Sequence, residues 1–309
     1  MGGLEDATNI FDSILMLLIT SISFDHVEYL GPSLENIIKN KLSLHKPDSP
    51  ALMIEQENVY NGKTIISGSH IEKIAKELIP SVNIVNKSKY SEGLCLFKYE
   101  NEILQYKLLL EGEFQAYNSA LSLHAYFTLK KLGNVIAQSI SDEDAIKACM
   151  NTKFLGRLTW INNYILIDGS HNLAGIIHLK KYIKMKLKSF TGKIIWIMAI
   201  SEKKDYKSMI STLLENEIKN DQSVLLTEFT TPENMPWVKC ISPEILAVCL
   251  KEKNVKYQIS NLDEILSNLK EDKTMYIICG SLYLVRDTLK YYSDKIQNYK
   301  NCESKLKIY

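Results

Sequence analysis

The densest group of chemically competent residues is Asp168-Gly169-Ser170-His171-Asn172, which follows the apolar run Ile165-Leu166-Ile167 and precedes a helical pattern. In a parallel sheet, ligands gather beyond the carboxyl ends of the strands, and a helix amino terminus offers unpaired N–H groups to anions. The segment therefore brings an acid, a glycine and a histidine to a place where phosphate or carboxylate would bind. A plainer reading stays open, in which Asp168 caps the helix and His171 is a surface residue. A second group, Thr20-Ser21-Ile22-Ser23-Phe24-Asp25-His26, leads into Glu28-Tyr29-Leu30-Gly31-Pro32 and crowds polar groups at the end of an apolar run. It suits a metal or phosphate site, although a lone strand-end histidine is more often structural. Lys41, in the helical stretch that starts at Ser33, is by spacing alone a solvated charge.

The elements that must position these residues differ between the two halves. From residue 160 to 295, short apolar runs alternate with amphipathic stretches, the habit of a mostly parallel sheet covered by helices. Strands are expected at Asn163 to Asp168, Lys193 to Ile200, Ser223 to Glu228, Val255 to Ile259 and Thr274 to Cys279, with helices at 173–188, 204–218, 243–253, 262–270 and 282–296. The first 150 residues are less regular. They hold an apolar run at 14–22, helices near 33–43 and 70–78, a strand at Ala51 to Ile54, and a hairpin of Leu94 to Tyr99 with Ile103 to Leu110 around Glu100-Asn101-Glu102. Helices near 115–131 and 142–150 follow, the domain boundary falls near residue 152, and the charged tail after Tyr292 reads as disordered.

Composition narrows the function classes. At 309 residues with 46% hydrophobic and 24% charged, the chain can bury real cores, and roughly 150 residues per domain suggests two domains. Lys plus Arg number 37 against 36 Asp plus Glu, so no net field draws it to nucleic acid or an anionic membrane. The run Ile14 to Ile19 is far shorter than the roughly 18–20 residues that span a bilayer, and a cytoplasmic protein is expected. Six scattered cysteines with no C-x-x-C pair read as reduced thiols.

Six segments, in order and in register, carry a family resemblance: Gly2-Gly3-Leu4-Glu5-Asp6-Ala7-Thr8-Asn9, Asp25-His26 with Tyr29-Leu30-Gly31, Leu34-Glu35 through Lys41, Gly156-Arg157-Leu158, Asp168-Gly169-Ser170-His171-Asn172 and Gly280-Ser281-Leu282-Tyr283-Leu284. Together they resemble the folylpolyglutamate synthase and dihydrofolate synthase family, a branch of the Mur ligases. The resemblance implies an α/β chain in which residues 1–151 are an incomplete Mur-ligase central ATPase domain and residues 152–309 a Rossmann-like domain with a mostly parallel sheet. It implies a ligase in which ATP phosphorylates a folate or dihydropteroate carboxylate and the amino group of L-glutamate attacks the acyl phosphate. ATP and Mg²⁺ are the implied cofactors.

By the same resemblance, His26 is a magnesium ligand and Lys41 is carbamylated, which gives the metal the oxygen ligand it prefers in place of an ammonium. Asn118, Arg157 and Asp168 match nucleotide contacts, His171 and Ser281 the glutamate side, and Glu5, Asp6 and Ala7 the pterin side; Leu4-Glu5 stands where the family has Arg-Leu. No G-x-x-x-x-G-K-[ST] loop occurs, and Asn61-Gly62-Lys63-Thr64 reads as a surface turn. Family members carry that loop upstream, together with a metal-binding glutamate before the double glycine. The expectation is therefore a chain truncated at its amino terminus and inactive alone, completed by a longer frame or by a separate fragment carrying the loop. The alternatives are a non-catalytic remnant or an unrelated Rossmann-like binding protein.

Overall fold

Where a strand is buried on both faces, its sequence is continuously apolar rather than alternating, and the strands that organise this chain are of that kind. The computed structural model describes residues 6–60, 65–91, 93–215 and 221–298. Glu5, the Asn61-Gly62-Lys63-Thr64 turn and Cys302 lie outside them. The chain divides into two units, Met1–Lys153 and Phe154–Tyr309.

The first unit begins with a 3-10 turn at Ala7–Ile10, then β1 (Leu17–Ile19), α1 (Val27–Leu30), α2 (Leu34–Leu42), β2 (Ala51–Ile54), the short pair β3 (Val59–Tyr60) and β4 (Ile65–Ile66), and α3 (Gly68–Leu78). It continues with β5 (Asn83–Val85), β6 (Lys89–Ser91), β7 (Leu94–Tyr99), β8 (Glu102–Lys107), α4 (Glu113–Lys131), α5 (Val135–Ser139) and α6 (Asp142–Asn151). Strands β1, β2 and β5 form a parallel sheet in the order β1-β2-β5, with Leu17 opposite Ala51 and Leu52 opposite Asn83. Its two faces bury different cores. Leu17, Ile19, Ala51 and Met53 pack with Leu34, Ile37, Ile38 and Ile71 of α2 and α3, while Leu52, Ile54 and Val85 pack with Phe97, Tyr106, Ala116 and Ala120 of the β6-β7-β8 sheet and α4.

The second unit runs β9 (Thr159–Asn162), β10 (Ile165–Ile167), α7 (Leu173–Lys186), β11 (Lys193–Met198), α8 (Tyr206–Leu214), β12 (Gln222–Leu226), α9 (Pro243–Glu252), β13 (Lys256–Ile259), α10 (Leu262–Ser267), β14 (Thr274–Cys279) and α11 (Leu282–Asn298). The sheet order is β13-β12-β11-β14-β10-β9, parallel except for β9. Ile165, Ile167, Ile197, Tyr276 and Ile278 share a core with Ile265 and Leu266 of α10 and Leu284 and Val285 of α11. Helices α7, α8 and α9 neighbour one another in turn. Their Ile176, Leu179, Ile183, Met209, Ile210 and Leu246 are buried, as are Trp196 and Met198 of β11.

The expected strands and helices of this unit are all present within a few residues. Strand β9 was not expected: four half-buried residues on an edge carry little hydrophobic signal. In the first unit the apolar run at 14–22 pairs only over Leu17–Ile19, and the hairpin turn is Glu100-Asn101, because Glu102 pairs with Tyr99. Helix α11 extends through Asn298, so the charged tail is helical at its start. Five cysteines, Cys95, Cys149, Cys240, Cys249 and Cys279, are free. Among the described residues no helix is long and apolar enough to cross a membrane.

Trp196 is fully buried at the centre of the second sheet, and its Nε1 donates to Gln222 Oε1 at 2.9 Å. In residues 154–298 expressed alone, Trp196→Ala is expected to lower unfolding stability by about 3–5 kcal/mol, read by urea denaturation. A loss below about 1 kcal/mol would show that this core does not carry the unit.

Candidate functional site

The second unit has a switch in strand order that creates a crevice. The chain leaves β10 for α7 and leaves β11 for α8, but leaves β14, which lies between those two strands, for α11 on the opposite layer. Neighbouring loops at the carboxyl edge therefore diverge, and such crevices are where open α/β sheets bind ligands. The loops that meet there are residues 168–172 after β10 and Gly280-Ser281 after β14, joined by Gly280 N donating to Ser170 O at 2.8 Å. Gly280 has φ +103, and a Cβ there would lie 2.7 Å from Ala199 O, so only glycine fits.

Asp168 ties the crevice together. It is 4% exposed; Oδ2 accepts from Leu158 N at 2.9 Å, and Oδ1 accepts from Ser170 N at 2.9 Å and from the Ser170 hydroxyl. Burial pushes this carboxyl up from the ordinary aspartate range, while Ser170, the Leu158 N–H and the Arg157 charge oppose that shift. Gly169 N also donates to Gly156 O at 2.7 Å, which locks Gly156-Arg157-Leu158 against the strand-end loop. A Cβ on Gly169 would meet Leu282 Cδ2 at 2.2 Å and Arg157 Nη1 at 2.7 Å. The missing side chain is thus the space in which the guanidinium sits, with Phe154 flanking it at 5.8 Å.

His171 Nδ1 lies 2.9 Å from Gly169 O. A carbonyl can only accept, so in the neutral ring Nδ1 carries the proton and Nε2 is the basic nitrogen. The cap of α7 is Asn172, whose Oδ1 accepts from Gly175 N at 2.8 Å, and not Asp168. Ser281 is 1% exposed and its Oγ accepts from Tyr283 N at 3.1 Å, which fixes the start of α11. The structure thus brings Arg157, Asp168, His171 and Ser281 together at one edge of the second sheet.

In the first unit, Asp25 and His26 follow β1. His26 holds φ 53 at the start of α1; its N–H donates to Asp25 Oδ1 at 3.0 Å, and its Nε2 lies 3.8 Å from Asp25 Oδ2. Gly31 ends α1 with φ +99, and a Cβ there would sit 2.6 Å from Asn36 Nδ2, so the glycine lets α1 close onto α2. Asn40 Nδ2 adds a bond to Leu30 O at 2.9 Å. Lys41 lies on the buried stripe of α2, one or two turns from Leu34, Ile37 and Ile38, and is half-buried. Asn118 on α4 donates Nδ2 to Gln115 Oε1 at 3.1 Å. Asp6 O accepts from Asn9 N at 2.9 Å, Ala7 is exposed, and Asn9 Oδ1 receives Lys46 Nζ at 2.9 Å.

Two features of this unit escaped the sequence reading. Gln56, 6% exposed, accepts from Ile22 N at 2.8 Å and donates to Ile54 O at 2.6 Å and Thr20 O at 3.3 Å, pinning the loop that carries His26. Its only sequence signal is a polar residue two places beyond a buried strand. Lys87, after β5, stands 3.8 Å from Glu57 and 5.1 Å over the Tyr117 ring. Burial, together with Glu113, Glu57 and Glu55, pushes the Tyr117 phenol well up.

The donor set of this unit is sparse for a metal: among the described residues no three His, Cys, Asp or Glu side chains gather where they could hold an ion. His26 beside Asp25 fits a hard ion such as Mg²⁺ that keeps waters and substrate oxygens, not one caged by protein.

Residues 155–291 match the family model described as the dihydrofolate synthetase C-terminal domain. A probable dihydrofolate synthetase of Schizosaccharomyces pombe is 28% identical over 310 residues, 94% of this chain and 69% of that protein. Among solved structures, E. coli FolC in complex with ADP aligns with TM-score 0.71 and 19% identity over 96% of this chain and 66% of its own length. The bifunctional folylpolyglutamate synthase/dihydrofolate synthase of Yersinia pestis, complexed with AMPPNP and Mn ion, aligns with TM-score 0.70 and 19% identity over 95% of this chain and 65% of its own. The chain thus spans about two thirds of the length of the proteins it matches.

If Asp168 organises the crevice, its loss must leave the Leu158 and Ser170 N–H groups buried without acceptors. Asp168→Ala is expected to cost about 2–4 kcal/mol of unfolding stability and His171→Ala less than about 1 kcal/mol, compared by urea denaturation. Equal losses would reject the division between a carboxylate that the fold depends on and an imidazole that it does not. Family model, curated relative and solved folds converge: residues 155–291 match the dihydrofolate synthetase C-terminal domain, and the chain as a whole is similar to dihydrofolate synthetases and shares the fold of FolC.

Proposed function

We propose that this chain provides the glutamate-joining part of an ATP-dependent ligase that forms an amide between a folate-type carboxylate and L-glutamate. The observation that carries the reading is the Asp168 knot, which holds Arg157 and His171 together at the crevice of the second sheet. Amide formation through an acyl phosphate needs positive charge on the transferred phosphoryl group and a base near the incoming amine. Arg157, held in the space above Gly169, supplies the first, and the Nε2 of His171 is suited to receive a proton from the glutamate ammonium. Asp168, with its oxygens committed to internal donors, acts by positioning Arg157 rather than by touching nucleotide. Ser281 acts through the start of α11.

In the first unit, His26 would hold Mg²⁺ together with Lys41 as its carbamate, Asn118 would contact ATP, and Asp6 and Ala7, with Glu5, would line the pterin side. Bound magnesium neutralises charge that spreads over phosphate oxygens. The carboxyl edge of the β1-β2-β5 sheet suits this role, because Gln56 fixes the His26 loop there and α2 presents Lys41 half-buried.

The 309 residues contain no glycine-rich Lys-Ser or Lys-Thr loop, and backbone N–H groups of such a loop are the main anchor for a triphosphate. Turnover therefore needs that loop from a longer frame or a second chain. Purified chain given ATP, Mg²⁺, dihydropteroate and labelled glutamate is expected to release no glutamate-dependent phosphate. A form that includes the loop is expected to do so, and Arg157→Ala in it to lose about 100-fold or more in kcat. Enzyme-like turnover by the 309 residues alone would sink the loop requirement; no turnover by any loop-bearing form would sink the ligase reading and leave a non-catalytic binding protein.

A further inference from the structure

The connection from β12 to α9, residues 227–242, is the longest at the carboxyl edge of the second sheet, and it is tied down at both ends. Thr230 N donates to Asp287 Oδ2 and Arg286 Nη2 donates to Thr230 O, both at 2.6 Å. At the other end, Glu202 N donates to Lys239 O at 2.9 Å and Ile241 N to Ile200 O at 2.8 Å. Between these anchors, Val238 N donates to Met235 O at 2.9 Å, closing a turn with Pro236 second and Trp237 third. Proline fixes φ at the second position of such a turn, so little backbone entropy remains for a ligand to remove.

Trp237 is 71% exposed, whereas Trp196 is fully buried and Trp160 donates its Nε1 to Tyr182 Oη at 2.8 Å. A single exposed apolar side chain needs no explanation by itself. What sets this one apart is rigid display at the edge where His171 and Ser281 also lie. Resting on the ligase reading above, we propose that Trp237 stacks on the aromatic ring that bears the acceptor carboxylate, which makes it a specificity determinant for aryl carboxylates of the pteroate type. In a pteroate, the carboxylate to be joined is attached directly to an aminobenzoyl ring, so that ring must approach whatever site holds glutamate. In a folate that already carries glutamate, the reacting carboxylate is separated from the ring by the glutamyl chain, and the platform contributes less. The exposed side chains of the connection, Glu228 and Glu233 against Lys239, leave it net acidic, which disfavours a nucleotide triphosphate as the stacked partner.

The test uses the full chain with ¹⁵N-labelled tryptophan, whose three indole N–H signals are assigned with Trp237→Phe and Trp160→Phe, the third being that of Trp196. Pteroate, pteroylglutamate and ADP are titrated separately, and affinities are measured in parallel by equilibrium dialysis. Pteroate is expected to shift the Trp237 signal and leave that of Trp196 in place. Trp237→Ala is expected to weaken pteroate about tenfold or more, Trp237→Phe to retain most of the affinity, and pteroylglutamate to be affected less. Pteroate binding with an unmoved Trp237 signal and unchanged affinity in Trp237→Ala would overturn the assignment while leaving the ligase reading intact. A shift of that signal by ADP would overturn it in favour of nucleobase stacking. Failure of the wild-type chain to retain pteroate would overturn it as well, with the ligase reading still decided separately by turnover of the loop-bearing form.

Discussion

A buried carboxylate must find donors, because an ion left without them in a protein interior costs several kcal/mol. Asp168 meets that demand with groups from two segments, Leu158 on one side and Ser170 on the other. The constraint fixes more than the aspartate. It forces Gly156-Arg157-Leu158 against the strand end, where Gly169 N reaches Gly156 O, and leaves the guanidinium only the space that Gly169 vacates. From the same loop, Gly169 O sets the proton of His171, and Ser170 O receives Gly280 N from the neighbouring strand. One desolvated carboxylate therefore determines where a cation, an imidazole and the start of a helix are held.

The first unit solves a similar problem with a neutral group. Gln56 is nearly as buried as Asp168, and it spans the end of β2 and the loop after β1 through both ends of its amide. A primary amide offers two donors and an acceptor, so it can bridge a carbonyl and an N–H without an ionic desolvation cost. The choice fits a loop that carries Asp25 and His26, since a further buried charge there would compete with any ion those residues hold. In both units, candidate residues stand on loops at the carboxyl ends of parallel strands, Asp168, His171 and Ser281 in one and Asp25 and His26 in the other, and one buried polar side chain holds each loop set.

What was legible in the sequence follows from burial. Strand β14 is buried at all six positions and reads as the unbroken run Thr274 to Cys279, and β2 likewise as Ala51 to Ile54. Strand β9 is half-buried throughout and left no pattern. The candidate site was legible as residue types at strand ends, which is why Asp168, His171 and His26 stood out as candidates. Their division of labour was not, because it depends on contacts distant in sequence or on the absence of a side chain. Asp168 was open to reading as a helix cap, yet Asn172 takes that place and Asp168 reaches Leu158 instead. Gln56 meets Ile22, 34 residues away, and nothing local to Gln56 announces that bond.

Lys41 shows how geometry changes the weight of a residue that spacing alone would dismiss. In an isolated helix its ammonium would be solvated, and in the last turn of α2, beside Lys39, it also complements the helix dipole. The burial pattern separates the two lysines: Lys39 is exposed, whereas Lys41 shares the stripe of Leu34, Ile37 and Ile38. A cation partly withdrawn from water loses solvation, and conversion of the amine to a carbamate would replace it with an anion able to accept hydrogen bonds or bind a hard metal. A lysine on the wholly solvated face would gain nothing by that exchange. On α2, the inner stripe therefore favours such an exchange at Lys41 over the exposed Lys39.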